Sequence, residues 1–156
     1  MAASSDQDPA VEITFGRHRG VFDGERAVIT VHGVVTESDA AQMMDFILRW
    51  DARAGNLGMV LRAPESFSVT PEARKYFVRS SRVGLPAIPM AVMGTSAIVR
   101  GILTLLINAM RITLQRDVPV RFCSTDEEAL SWLSDQMKLR AVQLANMKVI
   151  AATPKS

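Results

Sequence analysis

Residues 89–133 read PMAVMGTSAIVRGILTLLINAMRITLQRDVPVRFCSTDEEALSWL, and this stretch decides the fold class. Pro89 to Met93 is an apolar run of strand length, ended by the turn residues Gly94-Thr95-Ser96. Ala97 to Ile112 is too long for a strand, and Ile98, Ile102, Leu105, Leu106 and Ala109 recur at helical spacing. These five side chains are expected to face the core. A second apolar run, Val118 to Phe122, leads into Ser124-Thr125-Asp126-Glu127-Glu128. A hydroxyl followed by carboxylates suits the positive end of a helix dipole. Ala129, Leu130, Trp132, Leu133 and Met137 then supply the apolar side of a last helix. Strand, helix, strand, helix in succession calls for a sheet with helices packed on it.

The same alternation extends upstream. Thr70-Pro71-Glu72 opens a helix, with threonine as cap and proline in the first turn. It is expected to run to about Arg82 and to stop at Gly84 and Pro86. Ala63 to Val69 reads as a loop, and Leu57 to Leu61 as a buried strand. Before it, Thr36 with Glu37 and Asp39 starts an amphipathic helix. Met43, Phe46, Ile47 and Trp50 lie on one face of that helix, which ends near Gly55-Asn56. Val11 to Phe15 and Ala27 to Val31 are the opening strands, and Asp23-Gly24 marks a hairpin turn between them. The expected fold is therefore α/β, with a mixed sheet of about five strands, an N-terminal antiparallel pair and about four helices. The expected order is β-β-α-β-α-β-α-β-α. Residues 1–10 read as a disordered leader and 11–138 as the domain. Residues 139–156 read as a tail whose start can extend the last helix.

With 156 residues, the chain is long enough to bury a core without metals or disulfides. The single cysteine, Cys123, has no internal partner and sits beside an apolar run, which points to a buried, inert thiol. The formal charge is only +2 and the basic residues are dispersed, without the basic stripe of a nucleic-acid binder. The longest apolar stretch, Ala97 to Met110, holds Arg100 and falls short of the roughly 20 residues of a membrane span. The polar N-terminus lacks the charged start and apolar core of a signal peptide, so a cytoplasmic location is expected.

The stretches "AVITVHGVVTESDA", "TPEARKYFVRSSR", "AVMGTSAIVRGI" and "VRFCSTDEEALSWL" together carry a further pattern. Their order of strand, turn and cap over about Val28 to Leu133 resembles the STAS fold, named for sulfate transporters and anti-sigma-factor antagonists. The likeness is closest to the SpoIIAA-like branch. The resemblance implies a non-enzymatic protein-interaction module in bacterial signalling or regulation. In the family's phosphorylated members, a serine in an Asp-Ser-Ser-Gly motif follows the central strand. Here Arg62 to Pro71 contains neither the Asp-Ser pair nor the following glycine, which weakens a phospho-switch.

Ser66, Ser68 and Thr70 precede a helix, where free N–H groups and the dipole favour a phosphate. They are the candidate phospho- or partner-binding residues. The plainer reading makes Thr70 a cap and the serines loop decoration. Gly94, Thr95 and Ser96 are candidates for an anion or ligand. No P-loop or dinucleotide fingerprint accompanies them, so a glycine turn and a hydroxyl cap account for them equally. His18 and His32 lie on or beside the opening strands, away from ligand-spaced Cys or carboxylates, and are expected at a surface or edge. No catalytic residue, metal or cofactor is expected. The nine methionines suit either an irregular core or an adaptable binding surface. Excess apolar surface on the Ala97 to Ile112 helix favours a homodimer or a lipid-like ligand. An apolar-ligand carrier is thus the main alternative to a protein-binding role, and an enzyme built on the Gly94 to Ser96 turn is a second.

Overall fold

The computed structural model describes residues 10–63, 67–80, 88–94, 96–114 and 118–154. Most of the expected leader therefore lies outside the described residues, as does the expected helix stop at Gly84 and Pro86.

The chain opens with three antiparallel strands, β1 (Val11–Phe15), β2 (His18–Phe22) and β3 (Arg26–Thr30). Gly16 and Arg17 form the first hairpin loop, with Gly16 at φ 61° in the position where primed turns need positive φ. At the second hairpin, Asp23 Oδ1 accepts the N–H groups of Glu25 and Arg26 at 3.0 and 2.8 Å, and Gly24 takes φ 103°. The expected direct pairing of the Val11 and Ala27 strands is thus corrected, because β2 lies between them. Its inward positions include His18 and Gly20, which give no apolar alternation to read. Gly20 is needed there, since a Cβ would stand 3.1 Å from the Phe46 ring.

From β3 the sheet continues in parallel through β5 (Gly58–Arg62), β7 (Met90–Met93) and β8 (Val120–Cys123). The six-stranded order is β1-β2-β3-β5-β7-β8. Separately, β4 (Val34–Val35) and β6 (Ser68–Val69) form a short parallel pair. The mixed α/β sheet is as expected, with six strands rather than five and with this added pair. Part of the expected 63–69 loop is therefore a strand.

Among the described residues, four helices cover the sheet: α1 (Glu37–Ala54), α2 (Pro71–Ser80), α3 (Ala97–Leu114) and α4 (Asp126–Ala152). Each follows a hydroxyl cap. Thr36 Oγ1 accepts from Asp39 N–H while Asp39 Oδ2 accepts from Thr36 N–H, a full capping box. Thr70, Ser96 and Thr125 accept from Ala73, Val99 and Glu128 at 3.1, 3.3 and 3.2 Å.

Strand alternation sends Ile29, Leu61 and Val92 toward α1 and α3, and Val60, Ala91 and Cys123 toward α4. On the first side, Phe22 stacks on Trp50 with centroids 4.2 Å apart. On the second, Gly58 lets α4 lie close to the sheet, since a Cβ would stand 2.6 Å from the Met137 sulfur. Asn56 Nδ2 donates to the Met137 carbonyl at 2.7 Å. Arg140, 7% exposed, grips Asp51 through two bonds of 2.8 and 3.2 Å. Residues 139–152 continue α4 without a break, and Leu139, Val142, Val149 and Ile150 are exposed on it.

Helix α3 needs a correction. Val99, Leu103 and Ile107 face the core, whereas the expected core residues Ile98 and Leu105 are 76% and 72% exposed. Ile102, Leu106 and Ala109 are half-buried. The helix is apolar nearly all round, so two stripes fit helical spacing and periodicity alone cannot choose between them.

Candidate functional site

The two sequence candidates lie in the segments that follow the carboxyl ends of parallel strands β5 and β7. Ser68 is half-buried in β6, where its N–H donates to Gly33 O at 3.0 Å. Thr70 N–H donates to Val35 O at 3.1 Å, and its hydroxyl oxygen caps α2. Gly94, at φ 70°, turns the chain out of β7, and a Cβ there would lie 3.8 Å from Ala63 O. Ser96 Oγ is engaged by the Val99 N–H at the start of α3. Ser66 and Thr95 lie outside the described residues. Thr70, Gly94 and Ser96 thus have backbone tasks that account for their residue types.

Among the described residues, neither histidine is hydrogen-bonded to these hydroxyls. His18, expected at a surface or edge, is instead 1% exposed. His32 N–H donates to its Nδ1 at 3.1 Å, which leaves the ring hydrogen on Nε2, facing Asp39 Oδ2 at 3.2 Å. Burial pushes the Asp39 carboxyl up, but hydrogen bonds from Thr36 and then His18 outweigh it and hold its pKa below the ordinary value. Both ring nitrogens are occupied, so the pair ties β2 to the start of α1. A hint lay in the sequence: Asp39 sits three residues past Thr36, where a capping-box carboxylate belongs. That His18 would meet it across 21 residues was not readable.

Cys123 is buried, and burial first, with Glu128 second, raises its thiol pKa against a smaller opposing effect of Arg121. A thiol held protonated is a poor nucleophile. Among the described residues, no three His, Cys, Asp or Glu side chains gather as a metal site. No described helix is long and apolar enough to cross a membrane.

The feature that sequence reasoning did not place is a cavity. A cavity of about 150 Å³, partly open to the surface, lies between the sheet and helices α1, α2 and α3. Its described walls are apolar throughout: Ile29 and Leu61 from the sheet, Ile47 from α1, Phe77 from α2, and Leu103 and Ile107 from α3. Five methionines also line it, Met43, Met44, Met59, Met90 and Met110. Ordinary cores hold few voids larger than a water molecule. The methionine count and the apolar surplus of the Ala97 to Ile112 helix were the available signals, since flexible thioethers let a wall adapt to what it encloses.

No protein-family model, curated protein or solved structure matches the chain.

Proposed function

We propose that this chain is a non-enzymatic binding module that holds a small apolar molecule between its sheet and helices α1 to α3. The apolar, methionine-rich cavity carries this reading. An apolar void of about 150 Å³ is of the size that takes up benzene. A guest there would gain dispersion contacts with the lining side chains. Nothing polar on the described walls orients a reacting group, so the site suits retention better than chemistry.

Thermal melting with and without toluene tests the reading. Toluene is expected to raise the Tm of the wild type, and a wall-filling Met110→Phe variant is expected to gain less. An unchanged wild-type Tm, together with a bare chain in native mass spectrometry, removes the proposal.

The second reading is the protein-interaction role implied by the STAS resemblance, and one observation favours it. Ile98, Leu105 and Ile112 are 76%, 72% and 78% exposed along one line of α3. Residues seven apart on a helix form a seam suited to another helix. Sedimentation tests whether a second copy covers it: self-association by the wild type should be lost in Ile98→Glu/Ile112→Glu. A wild type that stays monomeric at all concentrations counts against that partner.

A further inference from the structure

A second concavity lies outside the first. About 690 Å³ of groove separates α2 from α3, and its two walls differ in chemistry. The α3 wall is Ile102, Leu105, Leu106 and Ala109. On the α2 wall stand Arg74, Lys75 and Arg79, around Val78. Leu106 lines both the groove and the inner cavity, so its side chain is the partition between them.

The cations are poorly matched. Arg74 and Lys75 are exposed and have no ion-pair partner among the described residues. Arg79 reaches Glu37 only at 3.5 Å, with both side chains more than half exposed. Such a pair is worth little. Three like charges bordering one groove, opposite a wall of hydrocarbon, complement a molecule with an anionic end and an apolar body.

From this we propose that the groove is the mouth of the cavity and receives a long-chain carboxylate. Its head lies on Arg74, Lys75 and Arg79, and its tail passes Leu106 into the inner void. The proposal rests on the cavity being a ligand site. A single alkyl chain fits a passage closed by one leucine, whereas a helix with its side chains is about 10 Å across. A flat bilayer surface would reach the groove rim but not the void behind it.

Titration calorimetry with laurate and with 1-dodecanol separates head from tail. Wild-type protein is expected to bind laurate at least tenfold more tightly than dodecanol, with the preference shrinking as salt rises. Arg74→Glu/Lys75→Glu changes exposed side chains only. It is expected to weaken laurate at least tenfold and to leave dodecanol binding and the toluene shift in Tm unchanged. Leu106→Trp, checked by its own melting curve, should weaken laurate and dodecanol together. Equal binding of laurate and dodecanol overturns the proposal, as does a charge reversal without effect on laurate. Binding to phosphatidylglycerol vesicles without binding of monomeric laurate also overturns it, in favour of a membrane surface. A toluene shift without laurate binding sinks the mouth and leaves the cavity reading intact. Loss of both sinks the two together.

Discussion

On the α4 side of the sheet, Gly58 lets Met137 approach to 2.6 Å from where a Cβ would stand, while on the other side a part-open cavity of about 150 Å³ lies under three helices. The first side is closed by one 27-residue helix over β5, β7 and β8. That helix is fixed at its middle by Arg140 on Asp51 and by Asn56 on the Met137 carbonyl. On the opposite side α1, α2 and α3 each start at a good cap, yet several methionines line the space between them. A glycine and a buried charge clamp define a single fit, whereas unbranched thioethers permit several. On the proposal above, the tight side is scaffold and the loose side is where the ligand sits.

Cutting the clamp should have the largest effect. Arg140→Ala leaves Asp51 as a mostly buried, unpaired carboxylate and is expected to cost about 3–5 kcal/mol in urea denaturation. A cost below about 1 kcal/mol would mean that α4 is not held as described. Next comes overpacking: Ala129, 1% exposed, should tolerate no enlargement, and Ala129→Leu is expected to cost about 1–3 kcal/mol.

A smaller, pH-dependent effect belongs to Asp39 at the edge of the loose side. Its folded pKa lies below the unfolded value of about 4, so its contribution is complete above that value. It is lost as pH falls through the folded pKa. Melting between pH 6 and 2 should show the wild type losing more stability than Asp39→Asn over the acid limb. Parallel curves would show that the Thr36 and His18 bonds do not favour the charged form. The smallest effect is a gain. Val118→Leu adds one methylene to the cavity wall and is expected to stabilise by up to about 0.8 kcal/mol. Equal penalties for Val118→Leu and Ala129→Leu would erase the contrast between the two faces.

Much of the frame was legible because local chemistry fixes it. Thr36, Thr70, Ser96 and Thr125 each sit where a hydroxyl meets an orphan N–H, and all four cap helices. The runs at Leu57 and Pro89 were legible as strands, because a parallel strand covered on both faces needs apolar residues throughout; the edge strand β8, with Arg121 exposed, was legible from the apolar run before its capped turn. Strand β2 was not, because its inward His18 is satisfied by Asp39 and its Gly20 makes room for Phe46. Both reasons lie far away in the chain. Of the candidate site, the two carboxyl-end clusters were visible as turn-and-cap motifs, and the cavity was not.

By itself, then, the sequence determined the alternation of strands and helices, the starts of the helices and the α/β class, since these depend on neighbours within a few residues. Which stripe of α3 turns inward, where α4 is anchored and how much space three helices leave above the sheet were decided only by tertiary structure. Those outcomes depend on the shapes of surfaces brought together from distant segments, and a one-dimensional pattern that is apolar on every side of a helix contains no preference among them.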